Sequence, residues 1–392
     1  MSVISMKRLK IVEPWFDDTE GKAVAEVLAS GQLVQSNRVE EFERLFAIET
    51  GMEYAVMVSS GTAALHLVML AHGIGTGDAV AVPDFTFVAT ANAVALTGAT
   101  PVFVDVDPDT YNMDVEALSR LIERMVGSHN QGSLRLRMIM PVHQFGLPAD
   151  MESIAALAKA HDLLLIEDAA CALGSRYRSR RIGTWGVASC FSFHPRKVIT
   201  TGEGGAVVTN DAKLADRLRA LRGHGFAVQP GHPLVAKGLN YRMTEIQAAL
   251  GIMQMRKLPE ILRRRKKVAE LMHQYLGEVT WFKRPVPPPE LAMNWQSYVG
   301  IIESDVDRNR IIAYLNTRNI EARPGATAIH LLEAYRSDSI SQFGSYPTAS
   351  MLDAKSLALP LHPGMDEDDV RRVAKELRNS SPSWAPDQDV QR

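Results

Sequence analysis

The chain has 392 residues, and at about 150 residues per domain this length predicts two or three structural units. Hydrophobic residues make up 46% of the sequence and charged residues 22%, a balance that excludes a disordered, collagen-like or disulfide-scaffold protein. Lys and Arg number 43 and Asp and Glu 45, which leaves a net charge of −2. Because there is no overall positive field, we expect neither a nucleic acid nor a membrane as partner.

The cysteines and the N-terminus favour a cytoplasmic protein. The two cysteines, Cys171 and Cys190, are too few for a disulfide framework or a zinc cluster, and the sequence has no HExxH motif. We therefore expect a reducing compartment and no bound metal. The N-terminal residues contain no apolar run of signal-peptide length. The largely apolar stretch Ala79–Val104 contains Pro83 and Pro101, so it fits strand, loop, helix and strand better than a membrane helix.

Seven short apolar runs alternate with segments that have apolar residues at helical spacing, such as Met151–His161. Regular alternation of strands and helices predicts crossover units, and hence an α/β fold with a mostly parallel sheet that is covered on both faces. In chain order, the predicted strands are Tyr54–Val58, Ala79–Val82, Pro101–Val104, Met138–Val142, Leu163–Ile166, Ser189–Phe193 and Gly205–Thr209.

The C-terminal half begins with a helix signal. Thr244 and Gln247 form the pattern of a reciprocal cap, and the helix that follows is predicted to end at Pro259, with a second helix after it. A run of prolines near residue 287 then marks a loop. The predicted units are a large domain over residues 1–255, a smaller α+β domain over 256–379 and a loose tail over 380–392.

Two places could carry chemistry near strand ends. The segment Ser59–Thr62 lies between a strand and a helix, where free N–H groups can bind a phosphate; the alternative is a simple helix cap. Glu167 and Asp168 end a buried strand, and the carboxyl ends of parallel strands face the crevice in which α/β sheets bind ligands. A capping role for these acids is an equal alternative on this evidence.

The third feature is Lys197, which lies between an apolar strand and a glycine-rich loop. Partial desolvation in such a setting favours a neutral, nucleophilic amine. The motifs GxGxxG, GxxxxGK[ST] and GxSxG are absent, so dinucleotide, P-loop and serine-hydrolase interpretations fail. A phosphate site, a strand-end acid and a desolvated lysine together suit pyridoxal phosphate, which needs all three.

The order of the motifs carries a family resemblance. The sequence contains GQLVQSNRVEEFE, SGTAALHL, PDFTFVATANAV, PVHQFGLPADM, IEDAA, FSFHPRK, TTGEGG, NYRMTEIQAA and HLLEAY. In this order they resemble the DegT/DnrJ/EryC/StrS family of fold-type-I, pyridoxal-phosphate-dependent sugar aminotransferases. The resemblance implies a large domain with a seven-stranded, mostly parallel sheet, a smaller C-terminal α+β domain, and a homodimer with shared active sites. It also implies ping-pong transfer of an amino group, with L-glutamate as the expected donor, to a nucleoside-diphosphate-linked keto-sugar.

The resemblance gives three residues a role at the cofactor ring. Lys197 is expected to form the Schiff base and to move the proton between the reacting carbons. Asp168 is expected to pair with the pyridine nitrogen. Phe87, the second aromatic of FTF, is expected to stack on the ring, although the residue type alone favours a core aromatic.

The phosphate and the substrate have further expected contacts. Gly61, Thr62 and Ser192 are implied to hold the phosphate within one subunit, and Asn240 is implied to reach it from the partner subunit. Three residues are candidate substrate contacts by their position in the family pattern: Gln35, Arg242 and His330.

Two departures from the family pattern occur, one three residues after Asp168 and one on either side of Lys197. Cys171 stands where the family commonly has Gln, so the contact to the phenolic oxygen of the cofactor would come from a shorter and weaker donor. Arg196 and Val198 stand where Thr and Asn are common. Two alternatives stay open: a sugar dehydratase of the same fold, in which His replaces the lysine, and a cofactor-binding regulator without turnover.

Overall fold

The structure is a computed structural model that describes residues 7–127, 134–227, 231, 233–303, 306–336 and 344–380. The predicted tail 380–392 lies outside the described residues except for Ser380, which ends the last helix. The α-helices are α1 Asp18–Ser30, α2 Asn37–Thr50, α3 Gly61–Ala71, α4 Ala89–Ala95, α5 Val115–Gly127, α6 Met151–Ala160, α7 Ala212–Arg222, α8 Glu245–Tyr275, α9 Arg308–Thr317, α10 Pro347–Lys355 and α11 Glu367–Asn379.

The strands include all seven that the sequence predicts, together with shorter ones. They are β1 Tyr54–Val58, β2 Asp78–Pro83, β3 Phe85–Thr86, β4 Thr100–Val104, β5 Arg135–Ile139, β6 Leu164–Asp168, β7 Arg176–Tyr177, β8 Arg180–Arg181, β9 Ala188–Ser192, β10 Gly205–Thr209, β11 Phe282–Lys283, β12 Leu291–Ala292, β13 Tyr298–Ile302, β14 Arg323–Pro324, β15 Thr327–Ala328 and β16 Ser356–Leu359.

The seven predicted strands form one sheet in the order β1-β10-β9-β6-β5-β2-β4. Only β10 runs against its neighbours, so the prediction of a mostly parallel seven-stranded sheet is confirmed. The fourth predicted strand, Met138–Val142, corresponds to β5, which begins earlier, at Arg135, and ends earlier, at Ile139. Pro141 has no N–H to donate, which interrupts the ladder before the isolated bridge between Val142 and Asp168.

Both faces of this sheet are buried, as a parallel sheet requires. Successive side chains of β1 point to opposite sides, with Val56 and Val58 in one core and Ala55 and Met57 in the other. The apolar stretch Ala79–Val104 folds as β2, β3, α4 and β4, as predicted. None of the helices in the described part of the chain is long and apolar enough to cross a membrane.

The helix that begins at the Thr244 cap differs from the prediction. The cap itself is confirmed, because the Thr244 hydroxyl accepts from the Gln247 N–H and the Gln247 side chain accepts from the Thr244 N–H. The prediction that the helix ends at Pro259 is wrong, since α8 continues through this proline and has 31 residues in all. A proline removes one helical hydrogen bond, and packing of α8 on α1 and α2 before Pro259 and on α11 after it offsets that loss. The predicted 255/256 boundary falls inside this helix and stays a prediction.

The C-terminal part has its own antiparallel sheet, in the order β11-β13-β16-β14, and its own apolar core. The N-terminal residue Leu9 packs in this core and exchanges backbone hydrogen bonds with Asn319 and Glu321. The C-terminal part also reaches the large sheet, because β15 pairs with β3 beside the end of β2. This pairing brings C-terminal residues to the edge at which the candidate site lies.

Candidate active site

The candidate residues meet at the carboxyl ends of β6 and β9, which are adjacent and parallel. Asp168 is the last residue of β6, and Lys197 lies in the loop after β9, where its N–H donates to the His194 carbonyl at 2.8 Å. Ligands bind at this edge in open α/β sheets because the loops there leave a crevice. We call the space bounded by Asp168, Cys171, Lys197 and the turn Ser60–Thr62 the Lys197 cleft.

Asp168 is buried but receives few hydrogen bonds. The Thr90 hydroxyl donates to one carboxylate oxygen at 2.9 Å, and the Ala170 N–H donates to the other at 3.2 Å. Burial raises the pKa of Asp168 above its ordinary value, and the Thr90 hydrogen bond only partly opposes this. An ionised carboxylate here is stabilised by a cationic N–H partner, which a protonated pyridine ring would provide. Thr90 lies in the motif PDFTFVATANAV, but no local pattern in the sequence marks it as a partner of Asp168.

Glu167, the preceding residue, points to the other side of the strand, and its carboxylate accepts hydrogen bonds from five donors. We call Glu167 and its donors the Glu167 cage. The donors are the N–H groups of Gly183, Trp185 and Gly186, the hydroxyl of Ser189 and the ring of His143. Burial alone would raise the pKa of Glu167, but these hydrogen bonds outweigh it and lower the pKa. Glu167 therefore ties the loop after β8 to the sheet, and Asp168 alone faces the cleft.

His143 is a buried residue for which the sequence predicts no role. Its Nδ1 accepts from the Ala149 N–H at 3.1 Å, so its Nε2 carries the hydrogen that it donates to Glu167. The signal was present in the motif PVHQFGLPADM, but a lone histidine in an apolar setting does not show which residue it bonds. His143 helps to fix the end of β6 from behind.

Lys197 and Cys171 are in direct contact. The lysine Nζ donates to the cysteine Sγ at 3.1 Å, and both side chains are half-buried. The structure thus brings the residue that replaces the common Gln next to the lysine. The contact to the phenolic oxygen stays a prediction. Cys190 lies elsewhere in the core, where burial raises the pKa of its thiol well above the ordinary value.

We call the turn Ser60–Thr62 between β1 and α3 the anion cup, because it presents helix N–H groups that an anion could accept from. Ser60 caps α3 by accepting from the Ala63 N–H at 3.0 Å, which leaves the N–H groups of Gly61 and Thr62 at the start of the helix. A Cβ at Gly61 would lie 2.8 Å from the Cβ of Ser192, so this hydroxyl stands against the turn. Gly205 packs as tightly on the other side, since its Cβ would lie 2.5 Å from the Ser60 carbonyl. The cup fits a phosphate group.

The two aromatic residues of FTF have opposite environments. Phe85 is fully buried against Phe145, whereas the Phe87 side chain is 70% exposed in the chain. The core-aromatic alternative for Phe87 is therefore wrong. Thr86, which lies between the two aromatic residues, pairs with Thr327 of β15. This pairing holds β3 in place and fixes the direction in which Phe87 leaves the strand. An exposed ring at this edge is available to cover a bound cofactor.

Asn240 is exposed and lies beside the anion cup. Tyr241, its neighbour, donates its N–H to the Arg222 carbonyl at 3.0 Å and accepts from the Ser59 N–H at 2.8 Å. The segment is therefore an extended piece fixed against the end of β1. Whether the Asn240 amide serves its own subunit or a partner stays a prediction.

The three candidate substrate contacts are in different settings. Arg242 is half-buried and bridges Val58 at the end of β1, next to the cup. The Gln35 side chain has a buried Oε1 without a hydrogen-bond partner in the described part of the chain. His330 is already engaged, because its Nδ1 lies 2.5 Å from Asp84 and its N–H donates to the same carboxylate. Burial raises the pKa of Asp84, and the His330 hydrogen bonds oppose the rise.

Such an arrangement meets the requirements of an α/β enzyme that holds pyridoxal phosphate: an anion site, a carboxylate for the ring nitrogen and a lysine. A family model described as the DegT/DnrJ/EryC1/StrS aminotransferase family matches residues 15–378. The chain therefore belongs to this family of pyridoxal-phosphate-dependent sugar aminotransferases, which confirms the resemblance and the fold class.

The chain is similar to several named relatives over nearly their whole length. A GDP-perosamine synthase of Caulobacter vibrioides is 37% identical over 95% of this chain and 98% of its own. A GDP-perosamine synthase of Escherichia coli O157:H7 is 34% identical over the same shares. The solved pyridoxal-phosphate form of a putative sugar aminotransferase from Streptococcus pneumoniae is 25% identical, with a TM-score of 0.85 over 95% of this chain and 98% of that one.

Proposed function

We propose that the protein is a pyridoxal-phosphate-dependent aminotransferase that moves an amino group from L-glutamate to a keto-sugar linked to a nucleoside diphosphate. The observation that carries this proposal is the setting of Lys197. Among the described residues its amine has one hydrogen-bond partner, the Cys171 thiol, and no carboxylate within ion-pair distance. A lysine at a ligand-binding sheet edge without an acidic partner is available for chemistry.

Some residues of the site would bind the cofactor, and others would hold or transfer protons. The Gly61 and Thr62 N–H groups and the Ser192 hydroxyl would hold the phosphate, while Phe87 would cover the ring. When bound, the cofactor supplies an electron-poor ring that accepts the electron pair of the reacting carbon. Asp168 keeps a proton on the ring nitrogen by accepting its hydrogen bond. The Lys197 amine removes and returns the proton at the reacting carbon, in both half-reactions.

The relatives point to the nucleotide of the acceptor. Because two full-length relatives carry the name GDP-perosamine synthase, we assign this chain a GDP-linked keto-sugar as acceptor. Lys197 argues against the dehydratase alternative, in which the family resemblance implies His at this position. The regulator alternative requires that the retained Lys197 and Asp168 produce no turnover, which an assay decides.

The proposal includes a homodimer with shared sites. Phe226, Leu234 and Val235 are exposed apolar residues on a short bridge-linked segment that leads to Asn240. Apolar surface next to a site residue suits burial against a second copy, and a symmetric dimer makes the exchange reciprocal. The cytoplasmic location expected from two unpaired cysteines belongs to the same proposal.

Two successive assays test the function. Addition of L-glutamate to the cofactor-loaded protein should change the cofactor absorbance and release 2-oxoglutarate. Addition of GDP-, UDP- and dTDP-linked keto-sugars should then restore the absorbance with the GDP compound, and mass spectrometry should find its amino-sugar. No absorbance change with glutamate or any other amino acid would leave the regulator alternative in place. Turnover with another nucleotide would correct the acceptor only.

A further inference from the structure

A short buried segment crosses from the C-terminal sheet to the Lys197 cleft. It consists of Asn294, Trp295 and Gln296, it joins β12 to β13, and all three side chains are buried. We call it the 294–296 bracket. Two amides buried in one short connection each need hydrogen-bond partners, so their partners show what the connection is fixed to.

Asn294 is fixed to the loop after β6. Its Nδ2 donates to the carbonyls of Cys171 at 2.8 Å and Leu173 at 2.9 Å, while its Oδ1 accepts from the Gln296 N–H at 2.9 Å. The neighbouring Gly146 leaves just enough room, because a Cβ there would lie 1.9 Å from the Asn294 Oδ1. One side-chain amide therefore holds two carbonyls of the loop after β6, those of Cys171 and Leu173.

Gln296 is fixed to the loop after β9. Its Nε2 donates to the Arg196 carbonyl at 2.8 Å, which belongs to the peptide that joins Arg196 to Lys197. The bracket thus holds the backbones of both loops whose side chains meet at the contact between Lys197 and Cys171. Neither loop is part of the sheet at these positions, so the strands alone do not set the distance between them.

The bracket is itself anchored by a buried cation on α8. The Arg265 guanidinium donates to the carbonyls of Trp295 at 3.1 Å and Gln296 at 3.2 Å. Burial lowers the pKa of Arg265 to about 10, and in the described part of the chain no carboxylate pairs with it. A buried cation without these acceptors would be strongly destabilising, so the two carbonyls are kept in place. Trp295 adopts a left-handed backbone with φ of 55°, which a bulky residue rarely does.

We propose that Asn294 and Gln296 are positioning residues for Lys197, which set where its amine stands in the cleft. Their side-chain amides are engaged by backbone groups, so the two residues would act through the Cys171 and Arg196 carbonyls. A displacement of about 1 Å at a reacting group can lower a rate about 100-fold, so a bracket of this rigidity matters for turnover. The catalytic consequence rests on the proposed function, whereas the effect on the Lys197–Cys171 contact does not.

A matched pair of variants separates position from stability. Gln296→Met removes the amide that donates to Arg196. Gln254→Met is the control, because Gln254 on α8 is also buried and also donates to a backbone carbonyl, that of Trp15 at 3.0 Å. Each variant removes the donor to a partly buried carbonyl, and Gln254→Met also removes a hydrogen bond to the Glu20 carboxylate at 2.7 Å. The control should therefore lose at least as much of the free energy of unfolding as Gln296→Met.

The first readout uses the cofactor-free protein. Ortho-phthalaldehyde joins an amine and a thiol that are in contact and gives a fluorescent isoindole, so it reports the Lys197–Cys171 pair; Cys190 is buried and out of reach. Wild type and Gln254→Met should form the bridge at the same rate, and Gln296→Met several-fold more slowly. Peptide mapping verifies the linked residues. In the loaded enzyme, Gln296→Met should lower kcat about 10- to 100-fold with an unchanged KM for glutamate.

The proposal is overturned if Gln296→Met and Gln254→Met behave alike in isoindole formation and in kcat. If Gln296→Met does not fold, Gln296→Glu replaces it, since this variant keeps the side-chain length but cannot donate when ionised; the same two outcomes then decide. If the wild type fails to transaminate, the proposed function is wrong, and the isoindole comparison still decides whether the bracket positions Lys197.

Discussion

Two neighbouring carboxylates at the end of β6 have opposite surroundings. In the Glu167 cage five donors saturate one acid, whereas Asp168 receives one hydroxyl and one N–H in the Lys197 cleft. The pKa of Glu167 is lowered by its hydrogen bonds against the effect of burial, and the pKa of Asp168 is raised by burial. One side of the strand is thus complete in the folded chain, and the other is left for a ligand to complete.

The largest effect is expected on the incomplete side. Lys197→Ala should abolish transamination because the chain then has no amine at the reacting carbon. The protein should stay folded and should still bind the cofactor through the anion cup. Absorbance after addition of glutamate measures the loss, and Lys159→Ala, an exposed lysine on α6, is the control. Residual turnover above background in Lys197→Ala would contradict the role.

The next effect separates activity from stability at one residue. Asp168→Asn should lower kcat about 100- to 1,000-fold, because a neutral amide does not hold the ring proton by charge. In the cofactor-free protein the same change should increase stability at neutral pH. The raised pKa means that ionised Asp168 disfavours the folded state, so its cost grows as pH rises from the ordinary value of 3.8 to the raised one. Wild-type turnover at saturating cofactor would refute the role at the ring.

Glu167→Gln should have the opposite effect on stability, because it disrupts the hydrogen bonds of the Glu167 cage. The amide presents N–H groups to N–H donors, so we expect a loss of about 2–4 kcal/mol in the free energy of unfolding. Because the folded pKa of Glu167 is lowered, its contribution is present above the ordinary pKa of 4.5 and is lost as pH falls below it. Denaturant unfolding of wild type and variant at pH 7 and in acid checks both statements. Equal stability at pH 7 would contradict the cage.

The smallest effect concerns the partner subunit. Asn240→Ala should weaken cofactor binding by about 1.5–3 kcal/mol, the range for a hydrogen bond to a charged group. Mixed with Lys197→Ala, it should restore activity, since every heterodimer would carry both defects in one site and neither in the other. No recovery after verified subunit exchange would mean that Asn240 serves its own chain.

The sequence predicted the sheet well because its strands are compact apolar runs, such as Tyr54–Val58. It failed at Pro259 because a proline's local cost was outweighed by packing along α8, which no short window contains. The two-residue strands β3 and β15 have no periodicity and form only by pairing with each other. The sequence therefore predicted the framework but not these connections.

For the site, residue type and motif order pointed to Lys197, Asp168 and the Ser59–Thr62 turn, which the structure brings to one edge of the sheet. Residue type and strand position alone could not separate Asp168 from Glu167, since the two acids differ only in which face of β6 they occupy; the family resemblance singled out Asp168. His143 and Gln296 were missed for a related reason. Each is a buried polar residue whose side chain donates to a partner at least 24 residues away in the chain, so no local pattern marks that hydrogen bond.

The role of Lys197 as the Schiff-base residue is tested most directly by reduction of the cofactor-loaded protein with borohydride, followed by peptide mapping. Reduction converts a bound Schiff base into a stable pyridoxyl-lysine. We expect one labelled residue per chain, Lys197, and no label in Lys197→Ala. A label on another lysine, or none in the wild type, would contradict this role.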